Sequence, residues 1–394
     1  MSALPASSPA AWRADDHVDV SVLVPVLNEE RHIRETVAAM QAQRFAGTVE
    51  LLFADGGSDD RTREILLELS AADPRMRVLD NPRRRTASGL NVCLREARGE
   101  FVARMDAHTY YSDRYLSAGV ERLRRGDTEW VSGPAVPRPV GAISTAVGLA
   151  LASWLGRGGS RKWSEDLDSA EERDLDTGVF GGVWRRQRVL EAGGWDERWP
   201  INQDSEMASR FLRGGARLVC LPEMAGYYVP RDSLSGLARQ YFRYGFYRAR
   251  TFRRHPTSMR RSHLIAPALA LTPIVATLAP SPLRKAARVG LLAYAGAVAA
   301  TAATSATSAT SATTATSATT AGAASEPGRR VDGALLLVVL PAMHLGWGLG
   351  TLAGMLRFGP PVSALATLVR GGERASVQET PDDVYAPSLR GEDA

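Results

Sequence analysis

The chain has little cysteine, little lysine and no apolar stretch at its beginning, and each shortage narrows the class of protein. Cys93 and Cys220 are the only cysteines among 394 residues. Neither belongs to a CxxC or Cys/His cluster, so the sequence indicates no zinc site and no disulfide framework. We expect two buried, reduced thiols. Residues 1–18 are rich in Ala, Ser and Pro without an apolar core, which predicts a disordered tail rather than a signal peptide.

The positive charge is carried mostly by arginine and amounts to a formal net charge of +5. Arginine clusters at 83–85, 253–254 and 260–261 suit phosphate groups, either on a donor molecule or on a membrane surface. The basic residues form no stripe interleaved with aromatic residues, so nucleic acid is not expected as a partner.

Long apolar runs are absent from the first 260 residues and lie between 264 and 356. The run 264–279 is short and holds two prolines, so we expect it not to cross a membrane. The runs 289–304 and 334–356 are the predicted spans, separated by an Ala/Ser/Thr tract at 301–325 that is typical of a flexible linker. Flanking arginines place the preceding domain on the cytoplasmic side of the inner membrane.

Residues 20–136 alternate β-type apolar runs with helical spacing. The runs are 20–26, 49–54, 76–79, 100–105 and 130–136, and the helical segments are 29–43, 59–70, 86–98 and 113–125. This order predicts an α/β fold with a doubly wound, mostly parallel sheet. Such sheets bind ligands beyond the carboxyl ends of their strands.

The domain prediction follows from these patterns. An α/β domain at 19–250 precedes a membrane-associated helical region at 251–356 and a cytoplasmic tail at 357–394. Within the first domain, residues 137–175 lose the alternation, so we expect a mobile loop there. The aromatic and arginine-rich helix 237–253 either lies in a bilayer interface or packs on the protein core, and the sequence favours neither.

Polar residues follow the predicted strands where ligands are expected. Asp106 and His108 leave the fourth strand two residues apart and therefore point the same way. A carboxylate and an imidazole so placed can hold Mg²⁺ or Mn²⁺ bridging a diphosphate. A turn-capping Asp beside a surface His is the alternative, and the position after an apolar strand favours the metal.

The first two strands end in further candidates for nucleotide binding. Asp55 can accept hydrogen bonds from a base or ribose, and the glycines after it allow close approach of a ligand. A tight turn with Ser58 capping the next helix is compatible with this role. Pro25, Asn28 and Glu29 lie where a nucleotide would sit, although a plain strand-to-helix turn explains them too.

Three later segments supply candidates for phosphate and acceptor. Arg85 closes an arginine cluster that opens a helix, where cations and free amide groups suit a diphosphate; a solvated charge run is the alternative. Asp204 is the candidate general base, unless it only stabilises a helix N-terminus. Gln240 and Arg243, one turn apart, can bind phosphate or brace an acceptor, unless they belong to a membrane-facing helix.

Taken together, these motifs resemble the family 2 glycosyltransferases over roughly residues 18–250. The matching stretches are Val24-Pro25-Val26-Leu27-Asn28-Glu29-Glu30, Ala54-Asp55-Gly56-Gly57-Ser58-Asp59, Ala97-Arg98-Gly99-Glu100, Met105-Asp106-Ala107-His108, Asn202-Gln203-Asp204-Ser205-Glu206 and 240–244. Each is weak alone, and the ordered set is specific. The Asp-Ala-His and Arg-Gln-Tyr-Phe-Arg-Tyr-Gly stretches are most similar to the succinoglycan-biosynthesis branch, which makes bacterial exopolysaccharide repeat units.

The resemblance implies a GT-A fold, a nucleotide-sugar donor and a divalent metal. It also assigns roles: donor binding by Pro25, Asn28, Glu29, Asp55, Arg85 and Asp106, metal binding by Asp106 and His108, base catalysis by Asp204, and acceptor or phosphate binding by Glu206, Gln240, Arg243 and Tyr244. Two positions depart from the family pattern. His108 replaces a second aspartate, and Tyr244 replaces a tryptophan.

The resulting expectation is a membrane-associated, inverting hexosyltransferase. It would transfer a single sugar, because the apolar segments are too few for a polymer channel. The family resemblance implies a UDP-sugar as the donor, and the expected acceptor is a glycan or a polyprenyl-diphosphate-linked molecule. Two alternatives remain. A sugar nucleotidyltransferase would carry a Gly-rich basic signature that residues 25–30 lack, and a non-catalytic membrane scaffold could retain the nucleotide fold.

Overall fold

A computed structural model describes residues 17–158, 171–179, 181–315 and 333–370. These residues form two compact units. Among them, the first unit runs to Pro134 and resumes from 171 to Gly226, and the second holds 135–158 and everything from Tyr227 onward.

The strands of the described residues are short except for the first three. They are β1 Val20–Val26, β2 Val49–Asp55, β3 Met76–Asp80, β4 Phe101–Arg104, β5 Thr109–Tyr111, β6 Trp130–Ser132, β7 Ala135–Pro137, β8 Arg173–Leu175, β9 Gly182–Arg185, β10 Leu218–Cys220 and β11 Gly226–Tyr228.

The helices of the first unit are α1 Ile33–Gln41, α2 Thr62–Ala72, α3 Thr86–Glu96, α4 Tyr115–Arg124, α7 Arg186–Glu191 and α8 Gln203–Arg213. Those of the second are α5 Ala142–Ala152, α6 Trp154–Arg157, α9 Leu234–Arg254, α10 Ile265–Leu278, α11 Ser281–Ala315, α12 Leu336–Phe358 and α13 Val362–Val369.

The first unit is built on one sheet of eight strands in the order β3-β2-β1-β4-β9-β6-β10-β8. The pairs β1/β2, β1/β4, β2/β3 and β6/β10 are parallel, and β4/β9, β6/β9 and β8/β10 are antiparallel. The predicted α/β fold with a mostly parallel sheet is confirmed, since four of these seven pairs are parallel, and strands β8 and β9 add antiparallel pairs that make the sheet mixed. The antiparallel β9 was missed because four residues show no clear alternation.

Helices cover both faces of this sheet, which explains why β1 is apolar at nearly every position. Val22 and Val24 pack with α1 and α4 on one face, whereas Leu23 packs with α3 on the other. The second face also carries three buried tryptophans, with ring centroids 4.9 Å apart for Trp130 and Trp184. Full burial on both sides fixes the register of the strands, and so the positions of the residues at their ends.

In the second unit, α9 and α12 pack at very close range. A Cβ added to Gly350 of α12 would lie 2.0 Å from the carbonyl oxygen of Phe242 on α9, and one added to Gly245 would lie 2.0 Å from that of Trp347. Only glycine permits such an approach of two helix backbones. The α9 segment thus packs on another helix of the protein, and its position in a bilayer interface stays a prediction.

Two expectations about irregular segments are wrong. The predicted loop at 137–175 holds helices α5 and α6 and strand β8. The predicted linker at 301–325 is helical as far as Ala315, within α11. The rest of that tract, residues 1–16 of the predicted tail and residues 371–394 lie outside the described residues.

Three helices of the described chain are long and apolar enough to cross a membrane. Judged by length and composition alone, they are Arg261–Leu278, Ser281–Ser305 and Gly333–Phe358. That the first of them does not cross stays a prediction, as do the domain limits given above.

Candidate active site

The predicted polar residues of the first unit meet at the carboxyl edge of the sheet. Asp55 ends β2 and pairs with Val26 of β1, while Arg104 at the end of β4 pairs with Leu23 of the same strand. Since β1 lies between them, Asp55 and Asp106 are two strands apart, or about 10 Å at the usual strand spacing. Parallel strand ends thus bring together side chains that are fifty positions apart in sequence.

Hydrogen bonds join the loops that follow β1 and β2. The backbone N–H of Asn28 donates to Ser58 Oγ at 3.0 Å, and Asn28 Oδ1 accepts from the N–H of Asp59 at 3.0 Å. Asn28 itself has a φ of 57°, a left-handed conformation that asparagine tolerates better than most residues. The two loops therefore form one braced surface.

Asp55 is fully buried within this surface. Its Oδ1 accepts from Ser58 Oγ at 2.6 Å, and its Oδ2 accepts from Arg63 Nη1 at 3.3 Å. The expectation that Ser58 caps a helix is wrong, because α2 begins only at Thr62 and the hydroxyl of Ser58 is turned to Asp55. Asp55 is thus held in place by its own loop and by an arginine.

Glu29 and His108 link the first loop to the end of β4. Glu29 Oε1 lies 3.0 Å from His108 Nδ1, and the backbone N–H of Glu29 donates to Thr62 Oγ1 at 2.7 Å. The bond to Glu29 raises the pKa of His108, against the opposing effect of burial. Pro25 lies inside β1, where it packs against Gly89 of α3.

The arginine cluster precedes α3, as predicted, but its members face different partners. Arg83 donates to Glu197 Oε2 at 2.6 Å, and Arg85 donates to the carbonyl oxygen of Glu197 at 3.3 Å. Arg84 has a φ of 53°, and its Nη1 would lie 3.3 Å from a Cβ placed on Gly57. Arg84 is therefore the member of the cluster that lies beside the Asp55 loop.

Arg104 lies at the centre of this candidate site, although none of the sequence motifs above includes it. Its Nε and Nη2 donate to the two oxygens of Asp106 at 2.8 and 3.0 Å, and its Nη1 donates to Asp204 Oδ1 at 2.5 Å. Its side chain is only 4% exposed. One buried guanidinium thus joins the carboxylate of the predicted metal motif to that of the predicted base.

Two buried tyrosines form hydrogen bonds with the backbone of this cluster. The backbone N–H of Asp106 donates to Tyr111 Oη at 2.9 Å, and Tyr115 Oη donates to the carbonyl oxygen of Arg104 at 3.1 Å. Burial lowers the pKa of Arg104, but the charges of Asp106 and Asp204 outweigh it and the net direction is upward. Arg104 is therefore a permanent cation.

Helix α8 presents Asp204 in its first turn, as the sequence predicted. A Cβ at Gly178 would lie 2.4 Å from the carbonyl oxygen of Asp204, so only glycine fits at that point of the neighbouring segment. Glu206 lies in the same turn but is 1% exposed and accepts from Arg210 through both oxygens, at 3.0 Å from Nε. The structure thus gives Glu206 an internal partner, and an acceptor role for it stays a prediction.

The three remaining candidates lie on α9, in the second unit. Gln240 Nε2 donates to Tyr244 Oη at 3.0 Å, as expected for residues one helical turn apart. Arg243 and Tyr244 are exposed, and the Tyr244 ring packs 5.8 Å from that of Tyr241. Their role in acceptor binding stays a prediction.

The donor groups of Asp106 and His108 fit a divalent cation that is shared with a ligand. Each oxygen of Asp106 accepts one bond from Arg104 and keeps a further lone pair, and His108 Nε2 is available on a side chain that is 60% exposed. In the described part of the chain no three His, Cys, Asp or Glu side chains converge. Protein ligands from these residues would therefore number two, with diphosphate or water completing the shell.

Arg104 left a signal in the sequence that could have identified it. It is the one charged residue in the buried strand Phe-Val-Ala-Arg, and it lies two positions before Asp106, on the same face. A charge in a buried strand needs a partner, and a nearby carboxylate on the same face is the obvious one. The contact with Asp204, a hundred positions away, left no such signal.

Comparison with known proteins gives a consistent result. Residues 21–192 match the model of Glycosyl transferase family 2. The succinoglycan biosynthesis protein ExoA of Rhizobium meliloti is 30% identical over 236 residues, which cover 59% of this chain and 70% of that protein. The UDP-Glc:alpha-D-GlcNAc-diphosphoundecaprenol beta-1,3-glucosyltransferase WfgD of Escherichia coli is 30% identical over 120 residues, or 30% of this chain and 46% of that protein.

Solved structures are more distant. The mannosyltransferase PcManGT from Pyrobaculum calidifontis, in complex with GDP-Man and Mn²⁺, has a TM-score of 0.49 and 20% identity, covering 71% of this chain and 81% of that one. S. aureus TarS 1-349 in complex with UDP-GlcNAc has a TM-score of 0.44 and 16% identity, covering 64% and 71%.

Proposed function

This chain belongs to the family 2 glycosyltransferases and has their GT-A fold, and we propose a function on that basis. The enzyme transfers one sugar from a nucleotide sugar to a lipid-linked acceptor and inverts the configuration at the anomeric carbon. Family membership sets aside the nucleotidyltransferase and the scaffold as alternatives. The observation that carries the proposal is the meeting of Asp106 and Asp204 on the single guanidinium of Arg104.

We assign the donor to the surface formed by the loops after β1 and β2. Asp55 and Asn28 are fixed there by Ser58, and Glu29 and Pro25 border the same surface. Arg84 lies beside Gly57, and Arg85 follows it at the start of α3. Guanidinium groups and the amide groups of a helix start stabilise a diphosphate, and a UDP-sugar is the donor we test first.

Asp106 and His108 would hold Mg²⁺ or Mn²⁺. Such a cation neutralises negative charge on a departing nucleoside diphosphate. The protein's own part is to fix the two side chains, which it does through Arg104 and Tyr111 for Asp106 and through Glu29 for His108.

Asp204 is the proposed general base. A carboxylate within reach of the acceptor hydroxyl removes its proton while the oxygen attacks the sugar carbon. Attack from the side opposite the leaving diphosphate inverts the anomeric centre. The buried guanidinium holds Asp204 in a fixed orientation, and a fixed orientation contributes a large part of the rate gain in a two-substrate transfer.

The second unit supports a membrane-bound acceptor. Its described residues contain sixteen arginines and lysines but a single carboxylate, Asp232, and Asp232 accepts from the N–H of Ser144. A surface with so many cations for one carboxylate among its described residues favours anionic lipids, as found on the cytoplasmic leaflet. We therefore propose the cytoplasmic face of the inner membrane, with Gln240, Arg243 and Tyr244 near a polyprenyl-diphosphate-linked glycan.

A donor screen on membranes tests the proposal. Membranes with the full chain are incubated with radiolabelled nucleotide sugars and a bacterial lipid extract, with and without Mn²⁺, and label in the lipid phase is counted. The expected result is transfer from one donor, reduced about 10³-fold by Asp204→Asn. Asp174→Asn, at an exposed ion pair with Arg217, is the control with unchanged transfer. Undiminished transfer by Asp204→Asn contradicts the base assignment.

A further inference from the structure

Arg104 connects parts of the site that the chain otherwise keeps separate. Asp106 follows β4, whereas Asp204 belongs to α8. Both carboxylates bind the guanidinium of Arg104, although Asp204 lies 100 positions after Arg104 in the sequence. The guanidinium is 4% exposed, and the carboxylates are 11% and 16% exposed. Burial strengthens the attraction within the cluster, because little water screens it.

The geometry of the three bonds uses the shape of the guanidinium. Nε and Nη2 bind Asp106 with two bonds, while Nη1, on the other branch, binds Asp204. A rigid planar fork of this kind fixes both the distance and the angle between its partners. A lysine ammonium is a point charge on a flexible stem and does not fix them.

We propose that Arg104 is a positioning residue that sets the place of the base Asp204 relative to the donor residue Asp106. This inference rests on the proposed function, since it needs Asp204 to be the base. Arg104 touches neither reactant in this scheme and acts through the carboxylates that it holds. Its loss should therefore slow transfer without a matching loss of nucleotide binding.

The cluster also explains how two carboxylates can share one small space. Without the cation between them, Asp106 and Asp204 would repel each other and draw apart. A displacement of about 1 Å of a catalytic group is enough to cost about 100-fold in rate. We expect that loss in kcat for Arg104→Met and also for Arg104→Lys, which keeps the charge but not the fork.

The test compares four variants of the full chain in membranes: Arg104→Met, Arg104→Lys, Asp204→Asn, and Arg104→Met combined with Asp204→Asn. Transfer is measured with the donor found in the screen, and binding of UDP and GDP is measured with and without Mn²⁺. We expect kcat to fall about 100-fold in both Arg104 variants while nucleotide affinity changes by less than about threefold.

The double variant separates positioning from mere structural support. If Arg104 acts through Asp204, the kcat of the double variant should equal that of Asp204→Asn to within about threefold. The reason is that the effects of residues that act as a unit do not multiply. A further drop of about 100-fold overturns the inference. So does wild-type kcat in Arg104→Lys, the variant with the better prospect of folding.

Arg122 provides the matched control. It is also a 4% exposed arginine between two carboxylates, Asp127 and Glu172, but Asp127 precedes β6 and so lies at the amino edge of the sheet. Arg122→Met should lower the melting temperature and leave kcat unchanged. If the wild type transfers sugar from no donor, the proposed function fails; if it transfers and Arg104→Lys does so equally well, only the present inference fails.

Discussion

The nearly buried arginines of the first unit bind carboxylates, whereas the described residues of the second unit contain a single carboxylate, Asp232. In the first unit, Arg104, Arg122 and Arg210 are nearly buried and each binds Asp or Glu. In the second, Arg248 packs over the ring of Phe252 at 5.3 Å, and burial lowers its pKa to about 10. Arginine is thus paired with carboxylates at these three positions of the first unit, whereas at Arg248 of the second unit it packs on an aromatic ring.

Burying a charged side chain costs free energy, and the two units differ in what the buried arginine contacts. A buried pair contributes little net stability compared with apolar residues, but removing one partner is strongly destabilising. In the first unit, pairing with Arg104 holds the side chains of Asp106 and Asp204 in place. In the second unit, the described residues hold sixteen arginines and lysines and a single carboxylate, an excess of positive charge that suits a surface in contact with anionic lipid.

The largest expected effect comes from breaking a buried pair in the first unit. Glu206→Gln leaves Arg210 without its carboxylate and should lower the free energy of unfolding by about 3–5 kcal/mol. Chemical denaturation of the detergent-solubilised chain measures it. Glu191→Gln is the control, because Glu191 and Arg188 form an exposed pair worth less than about 1 kcal/mol. Equal stability of the two variants would contradict the role given to internal pairing.

The second unit should instead be most sensitive where its helices touch. Gly350→Ala places a Cβ 2.0 Å from the carbonyl oxygen of Phe242, and overpacking of this kind costs about 1–3 kcal/mol. Thermal unfolding compared with that of Gly290→Ala measures the effect, because Gly290 has nothing within 4 Å. At Gly290 the better helix propensity of alanine should be neutral or stabilising. If Gly350→Ala leaves the melting temperature unchanged, α9 and α12 are farther apart than described.

Acid should distinguish the two units. Bonds to Arg122 lower the pKa of Asp127 to about 2 and also lower that of Glu172. A carboxylate whose pKa is depressed on folding stabilises the fold above its unfolded pKa, near 4, and that contribution is lost as the pH falls through the folded pKa. Between about pH 4 and pH 2 the first unit should therefore loosen first.

Hydrogen exchange at a series of pH values, read out by peptide, checks this order. The described second unit contains a single carboxylate, Asp232, and helices α9 and α12 contain none, so peptides of α9 and α12 should keep their protection while those of β6 and α4 lose theirs. Earlier loss in α9 and α12 would show that pairing does not govern the acid response. Arg122→Met removes the depressing partner and should make the first unit less sensitive to pH over this window.

Much of the donor side of the site could be predicted from sequence, because it depends on local pattern. Nearly continuous apolar runs identify β1, β2 and β4, and parallel strand ends share one edge, so the sequence predicts Asp55 and Asp106 close together. Ser58 was misassigned because the same side chain suits a helix cap and a bond to Asp55. Arg104 and Asp204 meet through tertiary packing alone, and no periodicity in the chain reports such a contact.

The same reasoning explains the errors in the irregular segments. Helix α5 is apolar except for Ser144 and Thr145 near its start, so no amphipathic period marked it. The Ala/Ser/Thr tract looked like a linker by composition, yet alanine is the strongest helix former, and α11 continues through the first part of the tract. Composition is a poor guide where propensity and low complexity point to opposite structures.

The smallest expected effect on stability, and the most direct test of the comparison, is at Arg248. Arg248→Met removes a cation that packs over the ring of Phe252, so the free energy of unfolding should change by less than about 1 kcal/mol. The melting temperature of the wild type should rise when phosphatidylglycerol replaces phosphatidylcholine in mixed micelles, because binding to the folded state stabilises it. Arg157→Met should reduce that rise, because the Arg157 side chain is exposed, whereas Arg248→Met should reduce it less, because burial keeps the Arg248 guanidinium from the headgroups. An equal rise in both lipids would mean that the cations of the second unit do not bind anionic headgroups.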